Sequence, residues 1–335
     1  MDTYKQEGRG KSLLRGFLFL LFLYLFLLSI QLLGCSMKLM GSGFAEQLIR
    51  TTSNPFIGLF IGILATSIIQ SSSATTSIVV GMVGCQTLCL RNAIPMVMGA
   101  NIGTTVTNTL VSLAHVTRPT EFKRAISGAI VHDYFNLLSV LVLLPIELGT
   151  HYLEHSAIFM QRVFSGIGGF SFFSPLKYIV KPVATLFINI LQSVIPGSII
   201  PAVLALFTAL ILLFIALSRL VILMKQLIIG RIERLLHNYL FAKPLRSLAL
   251  GMVFTAIIQS SSVVTSLAVP LVASGILTIE QIFPYTIGSN IGTTITALMA
   301  SLVTQSPAAI STAFVHLLFN ISGSIIWYPL RKVPI

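Results

Sequence analysis

Four stretches of the chain, at about 13–34, 125–148, 199–224 and 309–330, are apolar on every helical face. A hydrocarbon core of about 30 Å needs roughly 20 such residues in a helix, so each stretch predicts a plain spanning helix. Other stretches are as apolar but interrupted. From Asn54-Pro55 to Cys89 the run is cut in the middle by Gln70-Ser71-Ser72-Ser73, and from Ala93 it is cut again by Pro95 and by Asn101-Ile102-Gly103. Unpaired polar groups are costly in lipid, and such interruptions persist only where they pack against protein or line a wet cavity. The pattern therefore predicts re-entrant hairpins and broken helices within an all-α polytopic membrane protein.

The interruptions occur twice. Gln259-Ser260-Ser261-Ser262 repeats the first cluster 189 residues later, and Gly288-Ser289-Asn290-Ile291-Gly292-Thr293-Thr294 repeats Gly99-Ala100-Asn101-Ile102-Gly103-Thr104-Thr105 at the same offset. Two clusters sharing one offset define a duplicated unit. A third match, Val131-His132-Asp133-Tyr134-Phe135-Asn136 with Val315-His316-Leu317-Leu318-Phe319-Asn320, follows at an offset of 184. In each copy histidine and asparagine are four residues apart, on one helix face.

Composition strengthens the membrane reading. The chain has 335 residues, of which 55% are hydrophobic and 9% charged, and its mean hydropathy is +0.94. Soluble chains are near one quarter charged. A cleaved signal peptide competes for 13–34, with Lys5, Arg9, Lys11 and Arg15 in front. The apolar run is too long for a signal core and lacks a clear small-residue cleavage site, so a retained span is expected. The net charge of +12 would point to nucleic acid in a soluble protein, but the bases here lie between apolar segments, where topology explains them and no nucleic-acid partner is expected. Cys35, Cys85 and Cys89 lie in or beside apolar segments without metal-ligand spacing and imply no disulfide framework.

The basic residues also orient the chain. The amino-terminal segment, Arg118 to Arg124, Arg219 to Arg246, and Arg331-Lys332 can all be cytoplasmic if each repeat core makes one net crossing. That places 35–53, 149–198 and 303–308 outside. The first repeat then begins outside and the second inside, so the units are inverted, a layout of secondary transporters that hold substrate near the midplane. The organisation expected is 1–53, an amino-terminal segment with the first span; 54–148, repeat 1; 149–198, an external loop with amphipathic, surface-lying segments; 199–247, a span and a basic cytoplasmic loop; 248–330, repeat 2; and 331–335, a tail.

No nucleophile elbow, phosphate-cradling loop or metal-ligand cluster is legible, and Ser71 to Ser73 lack a GxSxG context, so no enzyme is expected. The clusters offer neutral oxygens, amides and hydroxyls at membrane depth. Such groups suit dehydrated Na+, while half-helix amino termini and hydroxyl donors suit an anion. No Lys or Arg lies between Arg50 and Arg91 or between Arg246 and Arg331. An anion held there is neutralised by helix dipoles, polar donors and co-bound cations, a physical reason for cation coupling. Close helix packing is the competing account of small and hydroxylated residues, but two in-register copies weigh against it. His132 and His316 are candidates for bridging helices. Asp133, an acid within the spanning helix of repeat 1, is a functional candidate by default, with pairing to Arg124 as the alternative.

The twin Gln-Ser-Ser-Ser, together with Pro95 to Thr109, Val131 to Asn136 and Gly288 to Thr294, resembles the type II sodium-dependent phosphate cotransporter family, with similarity from about Asn54 to Glu147 and from Leu248 to Trp327. The resemblance implies inverted re-entrant repeats and sodium-coupled uptake of inorganic phosphate by alternating access. It implies that Gln70, Ser71, Ser72, Ser73, Gln259, Ser260, Ser261 and Ser262 contact phosphate or sodium. Sodium oxygens would come from Gln70, Asn101, Thr104, Gln259, Ser260, Ser289, Asn290, Thr293 and Thr296, with His132, Asp133, Asn136, His316 and Asn320 as further candidates. Phosphate, Na+ and the lipid bilayer are the implied partners, with no cofactor beyond the coupling ion, in a plasma (cell or inner) membrane protein with a cytoplasmic amino terminus.

The chain departs from the family pattern in three places. Its external loop has no cysteine for the disulfide of animal members. It has no Asp or Glu between Glu46 and Glu121, where electrogenic members carry an aspartate, so an electroneutral cycle is expected. It stops at Ile335, where relatives continue, and is read as a short or truncated member. Alternatives on the same residues are export of phosphate, transport of another oxyanion, or a channel-like or structural membrane protein.

Overall fold

A computed structural model of the chain describes residues 9–166, 169–239 and 244–335, and among these residues there is helix and no strand. In chain order the helices are α1 (Arg9–Met40), α2 (Ser42–Thr51), α3 (Pro55–Ile69), α4 (Ser72–Gly84), α5 (Leu90–Gly103), α6 (Val106–Ser112), α7 (Pro119–Thr150), α8 (Tyr152–Gly166), α9 (Gly169–Val194), α10 (Ile199–Tyr239), α11 (Pro244–Ile258), α12 (Ser261–Ser266), α13 (Val269–Ala273), α14 (Ile279–Thr304) and α15 (Pro307–Trp327). Of the basic residues used to orient the chain, Lys5 and Lys243 lie outside the described residues.

Five helices are long and apolar enough to cross a membrane, with α2 and α3, bent by 101° at the break between them, as a sixth candidate. Four are the spans expected from uninterrupted apolar runs, on α1, α7, α10 and α15. The fifth, α14, departs from expectation. It runs unbroken through Pro284, Asn290 and Gly292, although its polar positions predicted an interruption. The reason is its setting: 72% of its most apolar window is buried within the protein, so its polar side chains meet protein rather than lipid. Pro95 likewise stays inside α5. The loosening in repeat 1 comes later, at Thr104 and Thr105, whose amides bond three residues back to Asn101 and Ile102, the tighter 3₁₀ pattern. The stretch 149–198 is largely helical, as α8 and α9.

The duplication sets the helix boundaries as well as the motifs. Pro55, Ser72 and Leu90 open α3, α4 and α5, and Pro244, Ser261 and Ile279, each 189 residues on, open α11, α12 and α14. After α4 the chain turns at Gln86 (φ 67°) and after α13 at its counterpart Gly275 (φ 78°).

Within each unit the first helix crosses the helix after the turn at backbone contact. A Cβ on Gly99 would lie 2.0 Å from the Leu59 carbonyl oxygen, and one on its counterpart Gly288 would lie 1.9 Å from that of Leu248. In lipid, helices gain little from excluding water from one another, and close approach over small residues is what packs them. α3 shows the division of faces: Gly58, Gly62 and Thr66 are buried, while Phe56, Phe60, Leu64 and Ile68 are exposed, as a lipid-facing side requires. α1 and α10 close the bundle around repeat 2, with Phe26 and Ile30 packed among Leu213, Leu217, Ala297 and Ala313.

Candidate functional site

The two Gln-Ser-Ser-Ser segments adopt the same break. α3 ends at Gln70 (φ 57°, ψ 29°), and Ser71 (φ −151°, ψ 104°) caps α4 by accepting from the Ala74 amide at 3.2 Å. α11 ends at Gln259 (φ 64°), and Ser260 (φ −151°, ψ 107°) caps α12 by accepting from the Val263 amide at 3.3 Å. Serine is a favoured N-cap, and the left-handed glutamine turns the chain.

The glutamine side chains explain why glutamine tolerates a backbone conformation suited to glycine. Gln70 Nε2 donates to the Ser67 carbonyl at 2.5 Å, while its Oε1 accepts from Thr107 Oγ1 at 2.7 Å. Gln259 Nε2 donates to the Ala256 carbonyl, and its Oε1 accepts from Thr296 Oγ1 at 2.6 Å. Each amide thus satisfies a carbonyl freed by its own helix end and ties the break to the helix across the turn. The first amides of a helix have no intrahelical acceptor. At these breaks they belong to Ser72, Ser73, Ser261 and Ser262.

The breaks meet. Ser73 Oγ donates to the Gln259 carbonyl at 3.2 Å and lies 3.5 Å from Thr296 Oγ1. Beside this contact is a cavity of about 260 Å³ walled by Gln70, Ser71, Gln259 and Ser260 from the breaks and by Phe214, Leu217, Ser218, Val221 and Ile222 from α10. No charged side chain is in its wall. Ser72, Ser73, Ser261 and Ser262 are buried and do not line it. A larger cavity, of about 600 Å³, lies at Lys123, Arg124, Thr278 and Glu280 and contains none of the sequence-derived candidates.

Behind the breaks the second polar clusters join into one hydrogen-bonded chain. Thr265 Oγ1 donates to Asn108 Oδ1 at 2.9 Å, and Asn108 Nδ2 faces His132 Nδ1 at 3.2 Å. His132 Nε2 faces Asn290 Oδ1 at 2.7 Å, Asn290 Nδ2 donates to Asn136 Oδ1 at 2.7 Å, and Asn136 Nδ2 donates to the Asn101 carbonyl at 2.9 Å. The donors and acceptors alternate consistently when the His132 proton is on Nε2, the tautomer assigned from this network. His132 thus bridges helices as expected. Its counterpart His316 does not: both ring nitrogens are buried without a hydrogen-bond partner, as is Asn320 Oδ1.

The remaining candidates scatter around this chain. Thr104 and Thr293 donate back to the carbonyls of Ala100 and Ser289 in their own helices, and Ser289 Oγ pairs with Thr255 Oγ1 at 2.6 Å. Asp133 has no Lys or Arg partner among the described residues. Its Oδ2 accepts from Thr109 Oγ1 at 3.4 Å and its Oδ1 is buried and unpartnered, so the alternative of a pair with Arg124 is not what forms. The window from Glu46 to Glu121 missed this acid because folding, not sequence proximity, brings it to the first repeat's helix. Glu147, His151 and Glu154 place ligand atoms within 4.8 Å of one another, a cluster the sequence spacing did not disclose. Its acids are engaged locally, Glu147 by the amides of Leu153 and Glu154 and Glu154 by Arg91 at 3.1 Å.

Thr107, Asn108 and Ser218 are the site residues that sequence reasoning passed over. Thr107 was available from the offset, since it stands 189 residues before Thr296. Asn108 has Ala297 as its counterpart and Ser218 lies in a plain apolar helix, so neither had a repeat signal.

What fold and site define is a multi-pass helical membrane protein in which a duplicated helix break closes on a neutral polar cavity. A family profile described as Na+/Pi-cotransporter matches residues 25–170 and 211–331, and the chain belongs to that family. Its similarity to "Sodium-dependent phosphate transport protein 2B" of Homo sapiens is 34% identity over 413 aligned residues, covering 96% of this chain and 60% of that protein. "Sodium-dependent phosphate transport protein 2A" of Rattus norvegicus is 35% identical over 399 residues, 97% of this chain and 63% of that protein. The chain therefore spans about 60% of the length of these curated relatives. No solved structure matches it.

Proposed function

We propose that the chain takes up inorganic phosphate coupled to Na+ by alternating access between two inverted repeats, in a plasma membrane with its amino terminus cytoplasmic. The observation that carries this reading is the pair of like helix breaks meeting at a cavity with no charged wall. An anion there is held by hydroxyls, amides and helix amino termini, and dehydrated Na+ by glutamine, asparagine and hydroxyl oxygens. Bound alone, the anion lacks counter-charge; bound with Na+, each ion lowers the electrostatic cost of the other. Gln70, Ser71, Gln259 and Ser260 form the substrate face. Ser72, Ser73, Ser261 and Ser262 supply hydroxyls and helix amides behind it. Asn101, Thr104, Ser289, Asn290, Thr293 and Thr296 supply sodium oxygens, with Thr107 joining them as the counterpart of Thr296. The named activity of the relatives, the membrane spans and the basic segments between them support the same reading.

In liposomes holding the purified chain, an inward Na+ gradient should drive accumulation of labelled phosphate, and a K+ gradient should not. Equal uptake in the two would sink the proposal, and uptake that never saturates would favour a channel.

Asp133 enters as a cation-side group. An unpaired carboxylate beside Thr109 at membrane depth favours a cation nearby. Asp133→Asn should lower the apparent sodium affinity several-fold with a smaller effect on the phosphate KM, read from uptake at graded Na+. An unchanged sodium dependence would leave Asp133 a packing residue.

A further inference from the structure

The two repeats make the same polar contacts at the breaks and different ones behind them. In repeat 1, His132 and Asn136, one turn apart on α7, hold both ends of the Asn290 carboxamide of repeat 2: Nε2 of His132 meets Oδ1 at 2.7 Å and Oδ1 of Asn136 meets Nδ2 at 2.7 Å. The repeat counterparts of these three residues are His316, Asn320 and Asn101. Asn136 Nδ2 donates to the Asn101 carbonyl, and Asn320 Nδ2 likewise faces the Asn290 carbonyl at 3.3 Å, so the backbone half of the arrangement exists in both copies.

The side-chain half exists in one copy only. The Asn101 carboxamide donates back to Val97 of its own helix at 3.0 Å. The atoms that would hold it, by repeat equivalence, are His316 Nε2 and Asn320 Oδ1, and both are buried without partners. His316 is 1% exposed, Asn320 1% and Asn101 3%. Leaving buried polar atoms unpaired is costly, and here the unpaired atoms are those that the formed copy uses. A duplicated transporter that alternates passes through states in which the two repeats exchange roles. An arrangement formed by one repeat in one state is then formed by the other in the opposite state.

We propose that His316 and Asn320 are positioning residues for Asn101, and that they engage its carboxamide in the state opposite to the one seen here, as His132 and Asn136 engage Asn290 in this one. The proposal rests on the inverted-repeat reading and deepens it. It assigns each asparagine, a sodium-oxygen candidate, a partner pair that orients it in half of the cycle. The copies are not identical. Ala297 stands where Asn108 stands, so His316 has no second partner of the kind that Asn108 gives His132 Nδ1. The His132 arrangement is the better satisfied, and it is the one formed here.

The test uses the full chain with Cys35, Cys85 and Cys89 replaced by alanine. Two double variants are compared, His132→Cys with Asn290→Cys and His316→Cys with Asn101→Cys, and mild oxidation reports which pair comes within disulfide range, about 7 Å between Cα atoms. Expected is reciprocity: between Na+ and K+ media, one yield rises as the other falls. Yields that rise and fall together, or a second pair that closes in no medium, overturn the proposal.

If these variants do not fold, the single variants His132→Ala and His316→Ala are read through Ser71→Cys, which lines the cavity, by labelling with an impermeant thiol reagent from either side. The two alanines should shift sidedness in opposite directions, whereas purely structural residues would lower total labelling alike. Shifts in one direction, or none, also overturn it. Sodium-driven uptake by the unaltered chain is measured in the same vesicles. Its absence would remove the phosphate assignment, while reciprocal disulfide yields would still stand or fall separately.

Discussion

Sodium-driven phosphate uptake is expected to fall to background when Gln70 or Gln259 is replaced by alanine, with the protein still inserted and folded. Each amide is spent on one carbonyl of its own helix end and one threonine hydroxyl across the turn. Thr107 and Thr296 can turn back to a carbonyl one helical turn earlier, so the loss in stability is on the order of 1 kcal/mol. The loss of the oxygen and amide from the cavity wall is not repaired in this way. Glycine separates the two contributions. Both residues sit at positive φ, where glycine relieves roughly 1 kcal/mol of backbone cost, so Gln70→Gly and Gln259→Gly should fold at least as well as the alanine variants and transport no better. Uptake at the unaltered rate in either glycine variant would return these residues to a structural role.

The second large effect concerns stability. Gly99→Ala and Gly288→Ala place a methyl group 2.0 Å and 1.9 Å from a carbonyl oxygen of the crossing helix, and each repeat must spread to admit it. Overpacking of this kind costs about 3 kcal/mol or more because backbone, not a flexible side chain, has to move. Gly149→Ala, with nothing within 4 Å, is the control and should be neutral. The measurement is the thermal midpoint of aggregation in detergent. Alanine at 99 or 288 that melts with the control would mean that the helices do not cross at backbone contact.

The same residues show what the sequence could and could not disclose. A polar run inside an apolar one, flanked by matching glycines and isoleucines, marked both breaks, because lipid tolerates no free polar backbone and serine caps the helix that follows. The offset carried further than the motifs, down to the residues that open α3, α4 and α5 and their counterparts. Polarity misled at α14. Asn290 and Gly292 look like an interruption along the chain, but the carboxamide is satisfied by His132 and Asn136 across the repeat boundary, and partners so distant in sequence leave no local mark. Ser218 was hidden for a related reason: a lone serine in a spanning helix has no pattern until two other segments are brought against it.

α10 has 41 residues, and at 1.5 Å per residue it is about 60 Å long. Its span-forming part, Ile199–Met224, has 26 residues, and the helix continues to Tyr239 without a break. One continuous rod therefore forms a wall of the cavity and reaches beyond the bilayer core. It is a lever whose short arm carries Phe214 and Ser218 and whose long arm stands in the aqueous phase. Torque or restraint applied to that outer arm is transmitted to the cavity wall, giving the surroundings mechanical access to a neutral chamber that they do not touch.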